Sequence, residues 1–305
     1  MEFVHPSDLL RVPVGRVDVV LDTDTYNEID DQFALAYLLK SSDRLHCKAI
    51  CAAPFHNNRS QGPADGMEKS YDEIMKLLRL CGREEMAPLV FKGSTAFLKD
   101  EKTPVESSAA REILRLAHQY SSEKRLYVVA IGAITNVASA ILMDRSIIDR
   151  IVVVWLGGHD LHWRDTREFN MKQDVAAARV VFGCGVPLVQ LPCCGVVSEF
   201  SVGQAELEER LMGVNPLCEY LATNTIDYMN AHRQGSLWSK VIWDVTAVAW
   251  LLNDGERFME ERILHAPIPE YNGQYSLPED THMIKYVYRI HRDRLFDDLY
   301  EKLRG

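Results

Sequence analysis

The chain has 305 residues, of which 47% are hydrophobic, so it can bury a large apolar core. Its formal net charge of −10 at pH 7 disfavours nucleic acid or an anionic membrane surface as a partner. No apolar run reaches the roughly 18 residues that a membrane-spanning helix needs. Positions 1–12 carry charged residues and no hydrophobic stretch, so we expect no secretory signal and a cytoplasmic protein.

Seven cysteines lie at positions 47, 51, 81, 184, 193, 194 and 218. An odd number without regular spacing is atypical of a disulfide framework. We interpret these residues as small buried hydrophobic side chains in a reducing compartment. The adjacent pair Cys193 and Cys194 leaves a reactive thiol open as an alternative.

Short β-branched runs alternate with helical patterns along most of the chain. Strands are predicted at 17–21, 46–53, 88–91, 125–131, 151–156 and 186–191. Helices are predicted between them, at 31–39, 66–80, 107–120, 136–142 and 174–182. This alternation predicts an α/β fold, with an open, mainly parallel β-sheet flanked by helices on both faces. Positions 204–253 show a mostly helical pattern, and without a convincing linker we predict a single domain, 1–305, with a mostly helical C-terminal part.

Acidic and amide residues concentrate where the predicted strands end, within 22–31, 52–59, 131–136 and 157–170. In open α/β sheets, ligands bind beyond the carboxyl ends of the strands. The sequence therefore indicates the location of a site, without indicating its chemistry.

Four aspartates, Asp22, Asp24, Asp30 and Asp31, fall within ten residues after the first predicted strand. Like charges at this density repel one another unless a cation or hydrogen-bond donors offset them. Calcium suits such a cluster, because it accepts the irregular oxygen ligands that a loop provides. Alternatively, Asp30 and Asp31 only cap the following helix, where carboxylates are favoured.

The same loop is also similar to the nucleophile loop of haloacid dehalogenase-type phosphatases. In that family one aspartate of a segment like Asp22-Thr23-Asp24-Thr25 forms an aspartyl-phosphate beside magnesium. The family also needs a Ser or Thr after another strand, a downstream Lys and a late acidic pair, and these cannot all be placed here. This alternative predicts a magnesium-dependent phosphatase.

Four separated motifs resemble those of the nucleoside hydrolase family. The first is DTDTYNEIDD at 22–31, similar to the family's Asp-x-Asp-Pro-Gly-x-Asp-Asp loop, and the second is IGAITNVA at 131–138. The third joins Gly157-Gly158 to REFN at 167–170, and the fourth is WDVTA at 243–247. Because the motifs occur in the family's order, the resemblance implies its α/β fold and hydrolysis of the bond between base and ribose.

The resemblance implies that Ca²⁺ is held by the side chains of Asp24, Asp31 and Asp244 and by the backbone carbonyl of Ile131. It also implies that Asp24 accepts a proton from a calcium-activated water that attacks the anomeric carbon. The transition state then resembles an oxocarbenium ion, which nearby negative charge stabilises.

The same resemblance assigns substrate contacts. Asp30 and Asn170 would bind the ribose hydroxyls, and Glu168 would bind the 5′ side. Trp243 stands where many members have a proton-donating His and where the purine-specific branch has Trp, which implies stacking on a purine base. A Trp that only packs against the core is the alternative.

Other positions depart from the family pattern. The first loop lacks Pro-Gly and is two residues longer, with Tyr26-Asn27-Glu28 added. Phe55 lies near the place of a ribose-binding Asn, with Asn57 just beyond, and His162 falls where the family often has an Asn for the 5′ hydroxyl. His159, in the same loop as His162, is a weaker candidate, since lone loop histidines are usually solvated.

The leading hypothesis is therefore a calcium-dependent N-ribohydrolase that acts on small-molecule ribonucleosides, leaning toward purines. A nucleoside- or ribose-binding protein with weak or no catalysis is the alternative on the same fold. Asp24, Asp31 and Asp244 together favour the enzyme, because binding alone needs no water-activating base. The family commonly forms dimers or tetramers, so the resemblance also implies a homodimer or homotetramer.

Overall fold

An eight-stranded sheet forms the centre of the computed structural model, which describes residues 10–233 and 237–305. The first nine positions of the charged segment 1–12 lie outside the described residues.

The strands of the described residues are β1 Val17–Thr23, β2 Leu45–Ala52, β3 Val90–Lys92, β4 Leu126–Ala130, β5 Ile151–Leu156, β6 Leu188–Leu191, β7 Ser201–Gly203, β8 Ser239–Val241, β9 Met259–His265, β10 Ile268–Pro269, β11 Tyr275–Ser276 and β12 Met283–Ile290. The α-helices are α1 Asp30–Lys40, α2 Pro63–Leu80, α3 Ser108–Ala117, α4 Thr135–Met143, α5 Phe169–Gln173, α6 Val175–Gly183, α7 Gln204–Leu211, α8 Pro216–His232, α9 Val245–Trp250 and α10 Arg292–Arg304. Short 3₁₀ helices occur between several of these elements.

The large sheet has the strand order β3-β2-β1-β4-β5-β6-β12-β9. All its neighbours pair in parallel except β9, which runs antiparallel to β12 at one edge. The order reverses between β1 and β4, since β2 and β3 lie on one side of β1 and β4 to β6 on the other. Such a switch point opens a crevice at the carboxyl ends of the two strands.

Two apolar layers cover the two faces of the sheet. Alternate residues of β5 show the division: Val152 and Val154 face one layer, and Val153 and Trp155 face the other. Helices α1, α2, α9 and α10 pack in the first layer, whereas α3, α4 and α6 pack in the second. Strands buried on both faces have nearly continuous apolar sequences, as in IVVVWL of β5.

The predicted fold class and the predicted alternation of strands and helices are confirmed. The six predicted strands and five predicted helices all occur, with ends that differ by a few residues. The helical pattern of 204–253 corresponds to α7, α8 and α9, with the short strand β8 before α9. The sequence pattern did not predict α5, α10 or the strands from β9 to β12.

None of the helices in the described part of the chain combines the length and the apolar character needed to cross a bilayer. All seven cysteines are free thiols.

Candidate active site

A cavity of about 160 Å³ lies beyond the carboxyl ends of β1, β4, β5 and β6. Loops that follow these strands supply most of its wall, and the segment before α9 closes it. The lining residues are Asn27, Glu28, Asp30, Asp31, Ile131, Leu156, His159, Glu168, Phe169, Asn170, Cys193, Cys194, Trp243 and Asp244. The cavity therefore lies at the switch point of the sheet, as the strand order predicts.

One wall of the cavity is acidic. Asp30 and Asp31 begin α1, and Asp244 immediately precedes α9. One carboxylate oxygen from each of the three lies within 4.8 Å of the others, and all three side chains are buried. Helix N-termini favour negative charge, but three carboxylates so close together still repel one another.

Asp24 adds a fourth buried carboxylate beside this group. Neither of its oxygens has a hydrogen-bond partner among the described residues, and it does not itself line the cavity. The backbone of Gly132, which follows Ile131, approaches it closely, because a Cβ at Gly132 would lie 3.1 Å from Asp24 Cγ. Asp22 is better satisfied, since Asn136 Nδ2 donates a hydrogen bond of 2.8 Å to its Oδ1.

Burial raises the pKa of the Asp22, Asp24, Asp31 and Asp244 carboxyl groups. Desolvation raises the pKa of Asp31 to about 7, and the neighbouring charge of Asp30 adds to the effect. The pKa values of Asp24 and Asp244 also lie well above the usual range, through burial first and the charge of Asp31 second. The cluster therefore resists ionisation unless positive charge is added.

These residues fit a hard divalent cation. The donor set consists of oxygen atoms, both Asp24 oxygens are buried without partners, and the three clustered carboxylates share one space. Ile131 lines the same cavity, so its carbonyl oxygen is available as a neutral ligand. Asn170 Nδ2 holds that carbonyl with a hydrogen bond of 3.1 Å and donates another of 3.1 Å to the Leu156 carbonyl.

A buried lysine partly offsets the acidic wall. Lys240 Nζ lies 3.2 Å from Asp30 Oδ1 and donates a short hydrogen bond to Glu28 Oε2. The added segment of the first loop is further fixed by Asn57, whose Nδ2 donates to Asn27 Oδ1 at 2.7 Å. Arg59 also donates to the backbone carbonyl of Glu28 at 3.2 Å. The longer loop thus places Glu28 in the cavity wall.

The opposite wall is built around α5. Glu168 caps this helix, since its carboxylate accepts backbone N–H hydrogen bonds from Gly158, Asn170 and Met171 at 2.8–3.0 Å. Burial raises the pKa of Glu168, and these backbone donors oppose the shift. Glu168 lines the cavity, but its oxygens are already occupied by the backbone.

Comparison with known proteins agrees with this geometry. The family model described as inosine-uridine preferring nucleoside hydrolase matches residues 19–296. The chain belongs to the nucleoside hydrolase family. The match therefore includes every residue of the acidic wall and confirms the resemblance that the four motifs indicated.

Relatives in the nucleoside hydrolase family differ in the substrates that their names record. The pyrimidine-specific ribonucleoside hydrolase RihA of Shewanella sp. strain ANA-3 is 27% identical over 140 residues, which cover 43% of this chain and 43% of that protein. The match thus spans less than half the length of that relative. Among solved structures, the plant nucleoside hydrolase PpNRh1 has a TM-score of 0.75 at 19% identity, covering 95% of this chain and 99% of that one.

The purine-preferring ribonucleoside hydrolase from Gardnerella vaginalis has a TM-score of 0.72 at 18% identity, covering 94% of this chain and 98% of that one. At such identities the two structures show the shared fold alone.

Most of the residues assigned from the nucleoside hydrolase resemblance come together in the structure. Those that line the cavity are Asp30, Asp31, Ile131, Glu168, Asn170, Trp243 and Asp244. Asp24 adjoins it behind Gly132. Asp30 was assigned to ribose alone, yet its oxygen belongs to the group of three that could hold a metal.

Besides Asp24, three assigned residues do not line the cavity. Phe55 is fully buried against Gly66, where a Cβ would lie 2.1 Å from the Phe55 carbonyl oxygen. Asn57 acts on the first loop through Asn27, and His162 is exposed. His159, the weaker candidate of that loop, lines the cavity instead.

Sequence reasoning missed Lys240 and did not place Cys193 and Cys194 in the nucleoside site, although both cysteines line the cavity. For Lys240 the available signal was a lysine three positions before the WDVTA motif. For the cysteines the available signal was their position just after β6, because ligands bind beyond the carboxyl ends of the strands in open α/β sheets.

Proposed function

We propose that the chain is a calcium-dependent N-ribohydrolase that cleaves the N-glycosidic bond of ribonucleosides, leaning toward purines. The observation that carries the proposal is the group of buried carboxylates, with unpartnered oxygens, that opens into a cavity lined by Trp243. A free sugar or nucleoside offers hydroxyl donors that match such an acceptor-rich wall.

Asp24, Asp31, Asp244 and the Ile131 carbonyl would hold Ca²⁺, with Asp30 beside them. When bound, the ion would offset the carboxylate charge and make water at the site easier to deprotonate.

The remaining steps belong to the chain's own residues. Asp24 accepts the proton of the attacking water, because its oxygens have no other hydrogen bond to break. Asp30 accepts hydrogen bonds from ribose hydroxyls, and Asn170 uses its Oδ1 for the same purpose, since its Nδ2 is held by two carbonyls. As the bond breaks, positive charge develops on the sugar, and the acidic wall stabilises it.

Trp243 supplies the surface for the base. Its side chain is half-buried and lines the cavity next to Asp244, so a flat heterocycle can stack on it. A purine offers the larger face for stacking, which supports the purine preference. The relatives' names point both ways, because one is pyrimidine-specific and another is purine-preferring.

One assay tests the proposal. A panel of purine and pyrimidine nucleosides is incubated with the protein, with and without a chelator, and free base and ribose are measured. We expect chelator-sensitive release that is fastest for a purine nucleoside. Binding without release would instead support a nucleoside-binding protein, and phosphate release from phosphoesters would support a phosphatase.

Substitution of the proposed base provides the matched control. Asp24→Asn should lower kcat by about 1,000-fold or more, as expected for loss of a general base. Asp18→Asn changes a carboxylate near the start of β1, the strand that ends just before Asp24. Asp18 contacts His46 there, and its substitution should leave kcat unchanged. Equal activities of these two variants would remove Asp24 from the mechanism.

A further inference from the structure

His159 occupies the cavity wall just beyond β5. The charged groups that act on its ring are Asp165, Arg164 and Lys172, and none belongs to the aspartate group. The ring therefore shares the cavity with the acidic wall without being among the groups that the aspartates act on.

The orientation of the ring is fixed from several directions. The backbone N–H of Cys194 donates a hydrogen bond of 3.2 Å to His159 Nδ1, and the N–H of Asp160 donates one of 3.0 Å to the Cys194 carbonyl. Tyr286 donates its hydroxyl to Asp160 Oδ2 at 2.7 Å, which ties the loop to β12. Trp163 packs against the ring, with centroids 5.8 Å apart.

The contact with Cys194 determines which ring nitrogen carries the proton. A backbone amide can only donate, so Nδ1 must act as the acceptor and the proton of the neutral ring must sit on Nε2. No described residue accepts a hydrogen bond from Nε2 of His159. The cavity wall thus contains a fixed N–H donor without a protein partner.

The ring is also uncharged near neutral pH. Burial lowers the pKa of His159, and Arg164 and Lys172 lower it further, although Asp165 acts in the opposite direction. A neutral imidazole of this kind is a hydrogen-bond donor rather than an acid that gives up its proton.

We infer that His159 is a specificity-determining residue whose Nε2–H donates a hydrogen bond to an acceptor atom of the leaving base. The inference rests on the proposed function. The carboxylates of the acidic wall accept hydrogen bonds from the ribose hydroxyls. The base offers acceptor atoms, its carbonyl oxygens and ring nitrogens, and these are the atoms of a nucleoside that a hydrogen-bond donor would contact. When the N-glycosidic bond breaks, its electron pair moves to the base, and the hydrogen bond strengthens without transfer of the His159 proton.

Leaving-group dependence distinguishes this role from a structural one. The two substrates are the nucleoside that the wild-type protein cleaves fastest and p-nitrophenyl β-D-ribofuranoside, whose leaving group is stable as an anion without a donor. His159→Ala should lower kcat/KM for the nucleoside by about 100-fold and for the p-nitrophenyl riboside by less than about 3-fold. Both substrates keep the 5′ hydroxyl, so a contact to that group would lower both values equally.

Two further variants test the assigned nitrogen. The amide nitrogen of His159→Gln can replace Nε2, whereas His159→Asn can satisfy only the Cys194 N–H. Gln should therefore recover part of the nucleoside activity, and Asn should behave like Ala. In the wild-type protein, ¹⁵N NMR should show an unprotonated Nδ1 and a protonated Nε2.

Equal losses on the two substrates, or no loss on either, would overturn the inference while the proposed function stands. Equal recovery by Gln and Asn would overturn the assignment of Nε2 as the donor. A wild-type protein that releases base from no nucleoside would overturn the proposed function and this inference together.

Discussion

The amino group of Lys240 lies between two carboxylates at the edge of the cavity. Burial by itself acts to lower the pKa of Lys240, but the charges of Asp30 and Glu28 outweigh it and raise the pKa. The lysine therefore stays charged and supplies fixed positive charge to the acidic wall. It also joins the first loop to β8, two segments separated by more than 200 positions in the chain.

Removing this charge should destabilise the protein most strongly when no metal is bound. Lys240→Met leaves Asp30 buried without its cation, so we expect a loss of roughly 3 kcal/mol in the free energy of unfolding in the presence of a chelator. Added Ca²⁺ should restore part of that loss, because the ion replaces the missing positive charge. Urea unfolding with chelator and with Ca²⁺ measures both effects.

Lys285→Met is a suitable control. Lys285 forms a similarly buried ion pair with Glu261, 2.6 Å apart, between β12 and β9 and away from the cavity. This variant should also lose stability, but Ca²⁺ should not restore it. A calcium response of equal size in both variants would mean that Lys240 does not act on the metal site.

Lys240 was not identified as a site residue from sequence, and His159 was only a weaker candidate. The role of Lys240 depends on its contact with Glu28, which lies 212 positions earlier in the chain. The role of His159 depends on its contact with the Cys194 backbone N–H. The aspartates differ, because their charge density alone indicates a cation. Asp244 still required the family resemblance, since it follows the others by more than 200 positions.

At the scale of elements, the pairing of β1 with β4 brings Asp24 against Gly132, the residue after the cavity-lining Ile131. The loops after these neighbouring strands meet at Gly132, where a Cβ would lie 3.1 Å from Asp24 Cγ and 3.2 Å from Ala53 Cβ. These distances are shorter than ordinary van der Waals contact, so a side chain at Gly132 must displace its neighbours by a few tenths of an ångström.

Gly132→Ala should therefore impair catalysis more than folding. Small displacements of a reacting group cost large factors in rate, so we expect kcat to fall by about 10- to 100-fold while the free energy of unfolding changes by about 1 kcal/mol. Gly183→Ala is the control, because among the described residues no atom beyond its chain neighbours and its own helix backbone lies within 4 Å of a Cβ at Gly183. Steady-state kinetics and urea unfolding are measured for both variants. An equal fall in kcat in the two variants would contradict a specific effect of Gly132 on Asp24.

The predictability of the elements follows from their burial. Strands such as β5 are buried on both faces and have continuous apolar sequences, which the pattern identifies. β9 is an edge strand with Glu260, Glu261 and Arg262 in its middle, so it lacks that signal. Charged residues on an edge strand oppose pairing with another chain, which gives β9 a physical reason for its sequence. Helix α5 has five residues, too few to show a helical period.

At the scale of the whole molecule, folding brings the buried carboxylates of 30–31 together with that of Asp244, more than 200 positions later. The fold must therefore tolerate their repulsion until a cation binds, and protonation is the way to do so in its absence. Burial raises the pKa of Asp22 and of Asp31 to about 7 from an ordinary value of 3.8. The free energy of unfolding of the metal-free protein is thus expected to change most steeply with pH between these two values.

Proton binding determines whether the free energy of unfolding rises or falls with pH. Between pH 4 and pH 7 the folded state holds protons on these groups that the unfolded state has lost. Their stabilising contribution is complete below the unfolded pKa and declines as pH rises toward 7, by about 1.4 kcal/mol per pH unit for each fully protonated group. Carboxylates with lowered pKa, such as Asp18 and Asp144, titrate below this window and leave the slope unaffected.

Urea unfolding from pH 5 to pH 8 in a chelator should therefore show a free energy of unfolding that falls as pH rises. With saturating Ca²⁺ the fall should be weaker or reversed, since the ion binds the ionised carboxylates and loses affinity as they are protonated. Asp31→Asn should reduce the slope in the chelator, because it removes one of the titrating groups. A metal-free slope that is flat, or that rises with pH in this window, would show that the carboxylates are already ionised and offset by protein groups alone.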